Sequence, residues 1–230
     1  MSKRTINVWK DPYGEGFDTC RLEQITIHSG LTVLVGCNGA GKSTLLKNIK
    51  SELDKYKIPY HSFDNLSDGG SHARGNALFE KDFTFLATSA SSSEGENITM
   101  NIGVLLSKMR EFMSTGRVVS RMTGLIDLIS GEEYEVPETK ERWLLLDAID
   151  SGYSIDNVVE VKDVLKMVIN DFKVNGYDLF IVASANEYEL ANGEDCFDVN
   201  GGEYIRFEDY EDFKKFIMKS REIKDSRYKN

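Results

Sequence analysis

Apolar and polar positions fall along this chain in two rhythms. Leu22 to Ile27 (LEQITI) alternates and predicts a half-buried strand, whereas Leu31 to Val35 (LTVLV) is continuously apolar and predicts a buried one. Gly30 between them reads as a hairpin-type turn. After GCNGAGKST, residues Leu45, Leu46, Ile49 and Leu53 recur at helical spacing until Lys57 and Pro59 end the segment. Ile58 to Phe63 predicts a strand, and DNLSDGGSHARGN from Asp64 to Asn76 a polar loop. Phe83, Phe85 and Ala87 alternate as in a short strand before the serine-rich ATSASSSEGEN, and Ile98 to Phe112 follows the helical period. Trp143 to Leu146 (WLLL) and Leu179 to Ala183 (LFIVA) predict buried strands. Between these two lies a helix carrying Val159, Val164, Leu165, Val168, Ile169 and Phe172, N-capped by Asp156 and closed by Asn175-Gly176. Asn200-Gly201-Gly202 between two apolar-bearing runs predicts a hairpin, and an amphipathic helix with a basic end follows it. Strand and helix alternate from residue 31 onward, which predicts an α/β fold with a mainly parallel sheet between helices.

Composition narrows the class. With 230 residues, 40% apolar and 29% charged, the chain is expected to form one globular domain. A formal charge of -10 repels phosphate backbones and anionic lipid, so any nucleic-acid contact has to be local. Cys20, Cys37 and Cys196 are odd in number and widely spaced, which fits a reducing cytoplasm and excludes a zinc-site pattern. No run of signal-peptide or membrane-spanning length occurs, so neither export nor membrane insertion is expected.

Gly36-Cys37-Asn38-Gly39-Ala40-Gly41-Lys42-Ser43 fits G-x-x-x-x-G-K-[ST], placed after a buried strand and opening a helix. Glycines there let backbone N–H groups converge on phosphates at the positive end of a helix. Lys42 then reaches the β- and γ-phosphates and the Ser43 hydroxyl takes magnesium. Cys37 reads as a space-filling residue inside the loop.

The form GCNGAGKSTLL, with Ser43-Thr44 after the lysine, resembles the phosphate loop of the ATP-binding cassette class. Ser93-Glu94-Gly95-Glu96 resembles that class's signature motif, with Ser93 at the signature serine, Gly95 at its second glycine and Glu94 departing from the first. Trp143 to Asp147 (WLLLD) is similar to its Walker B strand, and Ser151-Gly152 to the D-loop after it. The resemblance spans residues 20 to 207. It implies a P-loop NTPase fold with an antiparallel N-terminal β portion and a small helical subdomain near residues 94–140, all within one domain of residues 1–213 before a basic helix at 214–230. It also implies Mg-ATP binding by residues Gly36 and Asn38 to Thr44, with Ser43 and Asp147 as the magnesium ligands. Ser93 and Gly95 would bind the γ-phosphate held by a second copy, so that ATP joins a homodimer. From the residues alone, Ser93 with Glu96 also makes a capping box.

The departures concern hydrolysis. Ala148 stands where the class carries the glutamate that polarises water, no histidine occupies Ala183 to Asn186, and the single glutamine, Gln24, precedes the loop. Slow or partner-stimulated turnover is the expectation, with Lys42, Asp147 and Asp150 as the catalytic candidates. Asp150 either orients water or makes D-loop contacts, and Asn186 or Ser184 stands in for the histidine. Asp64, Asp68 and Arg74 are candidates for magnesium or γ-phosphate contacts, and Tyr13 or Phe17 for stacking on adenine, against readings as solvated loop and ordinary packing. About fifty residues separate the phosphate loop from Ser93, without heptads, so no chromosome-maintenance coiled-coil arm is expected. Neither is a nuclease domain expected after the cassette, so the resemblance implies a stand-alone head similar to small ATPases of bacterial and phage genomes.

From Lys214 onward seven basic residues face Glu222 and Asp225, a net of +5, whereas Glu187 to Asp212 holds ten acidic residues. The helix is either a solvated element with a dipole-complementing end or a contact for nucleic-acid phosphates. Three activities follow: a slow Mg-ATPase coupled to DNA or to an unidentified protein partner, an ATP-gated module that hardly hydrolyses, and a nucleotide kinase. The kinase is disfavoured because WLLLD lies about a hundred residues beyond the loop and no arginine-rich lid is visible.

Overall fold

The computed structural model describes residues 2–8, 23–64, 108–118, 129, 134–151 and 153–227. Its strands are β1 (Lys3–Asn7), β2 (Gln24–His28), β3 (Gly30–Val35), β4 (Tyr60–Asp64), β5 (Glu141–Asp147), β6 (Asp178–Ser184), β7 (Asp195–Asp198) and β8 (Glu203–Ile205). Its helices are α1 (Lys42–Lys55), α2 (Met109–Thr115), α3 (Ile155–Val174), α4 (Tyr188–Ala191) and α5 (Tyr210–Arg227). Six strands form one sheet in the order β4-β5-β6-β3-β7-β8, parallel except for the antiparallel β7–β8 hairpin. The α/β class and the mainly parallel sheet expected from the sequence are therefore observed.

The continuous apolar runs are explained by burial on both faces of the sheet. Val33, Leu144, Leu146, Ile181 and Ala183 point into a core shared with α2, α3 and α5. Their strand neighbours Leu34, Trp143, Leu145, Phe180 and Val182 point into a second core with α1 and the β1–β2 pair. Arg142 is 1% exposed at the base of β5 and donates to the carbonyls of Phe112, Met113 and Thr139. It thereby gives the Met113 carbonyl at the end of α2 a donor and adds a second donor to Phe112, whose carbonyl also accepts the Gly116 amide.

Two expectations are corrected. Gly30 does not turn a β2–β3 hairpin. Strand β2 pairs antiparallel with β1, from Lys3 opposite His28 to Asn7 opposite Gln24, and Gly30 at φ 115° carries the chain from one sheet into the other. Gln24 donates to Asn7 in that pair. The N-cap of α3 is Ser154, and Asp156 lies in the first turn. There Asp156 accepts from the Ser154 hydroxyl, which holds its carboxyl below the ordinary value. The last helix, α5, runs from Tyr210 to Arg227. Phe213 is buried in the main core, with Phe216 and Ile217 packed against it.

The strand expected at 83–87, the loop after Asp64, the first part of the 98–112 helix and most of the expected 94–140 subdomain lie outside the described residues. Among the described residues, no helix is long and apolar enough to cross a membrane. Cys196 lies fully buried in β7, its thiol 3.4 Å from the Ala191 carbonyl, and burial reinforced by Glu194 pushes its pKa up to about 12. Cys196 is therefore expected to resist iodoacetamide at pH 8 in the native protein and to react in urea. Peptide mass spectrometry measures both, and native labelling would show that β7 opens.

Candidate functional site

Strand β3 delivers the glycine-rich segment at its carboxyl end, where open α/β sheets place their ligands. Gly36 has φ 151°, and a Cβ there would sit 2.9 Å from that of Ala40, so a side chain would both strain the backbone and break the turn. The Ala40 amide donates to the Cys37 carbonyl at 3.0 Å, and Gly41 caps α1 without a side-chain bond. The first amides of α1 are thus left pointing at whatever the loop encloses. Lys42 is 8% exposed and its ammonium donates to the Gly36 carbonyl at 2.7 Å. Burial pushes its pKa down, while Asp150, Cys37 and Asp147 oppose that shift.

Asp147 comes from a different strand. It ends β5, in register with Asp64 of β4, and β6 lies between β5 and the loop strand β3. Ser184, at the end of β6 and 1% exposed, spans that gap. Its hydroxyl donates to Asp147 Oδ1 at 2.6 Å and accepts the Ala148 amide at 2.8 Å. Ser184 therefore fixes the orientation of the Asp147 carboxylate. Ala148, at the position expected to lack a general base, has φ 51°, an uncommon conformation for a residue with a Cβ.

Asp150 is 2% exposed and accepts from the Asn186 amide at 2.5 Å, the Glu187 amide at 2.7 Å and Asn186 Nδ2 at 3.2 Å. Burial raises its pKa and these bonds lower it. Its carboxylate anchors the turn after β6, and it is not among the described residues lining the cavity. Asn186 also donates to the Ser151 hydroxyl at 3.2 Å, joining the D-loop segment to the same turn.

A cavity of about 610 Å³ opens between these elements. Asn38, Gly39, Gly41 to Thr44, Asp147, Ala148, Ser151, Ser184, Asn186 and Glu187 line it. The volume lies within the ~300–1,000 Å³ typical of small-molecule sites. Ser43 and Asp147 offer a hydroxyl and a carboxylate, the hard oxygen donors that magnesium takes alongside phosphate and water. Ser93, Gly95, Asp68, Arg74, Tyr13 and Phe17 lie outside the described residues, and Gly36 and Ala40 shape the loop.

The residues that sequence reasoning did not find come from α5. Ser220, 2% exposed, accepts the Cys37 amide at 2.9 Å and Asn200 Nδ2 at 2.5 Å, and Lys224 donates to the Asn38 carbonyl at 3.1 Å. Helical spacing puts Ser220 and Lys224 on one face, but nothing local says that this face meets the phosphate loop.

No family model matches the chain, and no curated protein matches it. Among solved structures it is similar to the ADP conformation of MJ1267, an ATP-binding cassette of an ABC transporter. The identity is 17% over 96% of this chain and 97% of that one, with a TM-score of 0.49. It is also similar to a nucleotide-free ATP-binding cassette from an ABC transporter, at 17% identity, the same coverage of 96% and 97%, and a TM-score of 0.46. On its own sheet order and loop geometry, the chain has the P-loop nucleotide-binding fold, with its phosphate loop at the carboxyl end of a central parallel strand.

Proposed function

We propose that the chain binds Mg-ATP in the cavity between the phosphate loop and the ends of β5 and β6, and that it turns the nucleotide over slowly. The observation that carries this reading is the convergence of Lys42, Ser43 and a Ser184-oriented Asp147 on one cavity. Loop amides and Lys42 would hold the phosphates, and Ser43 with Asp147 would hold the magnesium. Magnesium would neutralise charge between the β- and γ-phosphates. The choice of adenine and the joining of two copies through Ser93 and Gly95 follow from the sequence resemblance.

The test is titration with Mg-ATP. Lys42→Ala is expected to weaken binding about tenfold to a hundredfold, the worth of the charge-assisted bonds removed. Equal affinity in the variant would overturn the reading. Sedimentation with and without Mg-ATP tests the dimer, and an ATP-dependent dimer lost in Ser93→Arg supports it.

A second reading, an ATP-gated module that hardly hydrolyses, is favoured by Ala148 and by the commitment of Asp150 to three bonds with the turn at 186–187. Its activity would lie in the partner it releases or holds. A nucleic-acid role for the basic helix has less support, because Lys224 lies against the phosphate loop and Lys214 sits 3.4 Å from Glu211.

A further inference from the structure

We propose that α5 supplies Lys224, assisted by Arg221, as cations for the terminal phosphate of the bound nucleoside triphosphate, so that the site distinguishes a triphosphate from a diphosphate. This rests on the nucleotide-binding reading above and adds residues to it from outside the phosphate loop.

Ile217, Ser220, Arg221 and Lys224 recur at intervals of three and four and so share one face of α5. Ser220 pins that face to the loop through the Cys37 amide. One turn later the Lys224 ammonium meets the Asn38 carbonyl, and a Cβ on Gly39 would lie 3.7 Å from the same nitrogen. Its other close charge among the described residues is Asp225 at 3.9 Å. An ammonium has three donors, so two remain after the bond to Asn38.

A second cavity, of about 500 Å³, lies between this helix face and the loop, with Arg221 and Lys224 in its wall. Asn38, Asn186 and Glu187 line both cavities, so the two meet at one rim. Ser43 and Thr44, at the start of α1, line the first cavity together with Asp147, Ala148 and Asn186. A phosphate chain that starts on the α1 amides and runs toward the residues shared by both cavities would end at that rim. Glu187 also stands there and would repel a terminal phosphate; burial, then Asp150 and Glu189, hold its pKa above the ordinary value. Lys224 and Arg221 supply the opposing charge on the helix side.

The test is the affinity for Mg-ATP and for Mg-ADP in the unaltered chain and in Lys224→Gln, Lys224→Arg, Arg221→Gln and Lys42→Ala. Lys224→Gln is expected to weaken Mg-ATP about tenfold and to leave Mg-ADP within about twofold, as for loss of one charge-assisted contact to the third phosphate. Lys224→Arg keeps the charge and recovers most of the loss. Arg221→Gln, at an exposed position, gives a smaller loss of the same kind and serves if Lys224→Gln melts early. Equal losses for both nucleotides would mean that Lys224 only shapes the loop, and an unchanged ATP-to-ADP ratio in both glutamine variants overturns the proposal. Lys42→Ala separates the two failures. If it weakens both nucleotides while the ratio stays fixed in the α5 variants, only this inference falls; if it weakens neither, the nucleotide reading falls as well.

Discussion

Ala148→Glu is expected to raise phosphate release from Mg-ATP by about a hundredfold or more, the contribution of a positioned general base. The position already carries a Cβ at φ 51°, so the longer side chain adds no new class of backbone strain. Ala148 lines the cavity one residue beyond Asp147, and its amide is fixed by Ser184, so a carboxylate would extend from an anchored backbone. Asp147 and Glu187 line the same space. With Asp147 committed to magnesium, Glu187 is the like charge that would raise the pKa of the added carboxyl. Stopped-flow phosphate release after mixing with Mg-ATP measures the effect, and Ala148→Gln is the control that keeps size and loses basicity. A rise confined to the glutamate variant identifies a missing base. An unchanged rate in both variants would show that another group already does this work, and the slow-turnover reading would have to be abandoned.

Trp143→Ala is expected to cost about 3–5 kcal/mol of folding free energy, the usual cost of truncating a buried large aromatic. Trp143 is fully buried on the α1 side of the sheet and stacks on Phe180, with ring centroids 4.5 Å apart and planes within 5°. Its indole N–H donates to Glu141 Oε1 at 2.6 Å, and the same oxygen accepts from Arg4 in β1 at 2.6 Å. Removing the ring therefore opens a cavity between two central strands and deprives a carboxylate shared by both sheets of one donor. Urea unfolding followed by circular dichroism should show a lower midpoint at an unchanged slope. A loss below about 1 kcal/mol would mean that the two sheets collapse onto the gap. Trp143→Phe, which retains a ring and loses the indole N–H, should fall between the two.

Local pattern made much of the fold and half of the site legible. The phosphate loop, the strand ending in Asp147, the helix closed by Asn175-Gly176 and the hairpin at Asn200 to Gly202 each carry their instructions within a few residues. Strand partnership does not. The segment Gln24–His28 alternates as a strand should, yet nothing within it chooses between β3 beside it and Lys3–Asn7 far before it. That choice is made by α1, whose Leu45, Ile49 and Leu53 need the cover that Ile6, Ile25 and Ile27 provide. The contribution of α5 was hidden for a related reason. Its basic residues read as solvent-facing charge, and only the seating of Ser220 against Cys37 reveals which of them meet the loop. Sequence offers Asn186 or Ser184 as a phosphate sensor, and both line the cavity; that Ser184 also orients Asp147 is visible only from the place of β6 beside β5.

The bond from the Cys37 amide to Ser220 joins residues 183 positions apart. A ribosome translates the phosphate loop early and the helix that braces it late, at about 5–20 residues per second. For the intervening seconds the emerging chain has the loop's sequence without its support. Nucleotide capture should therefore mark completion of α5 rather than emergence of the loop. In cells, an abundance of ATP would then favour chains synthesised at least through Ser220 over those that stalled before it.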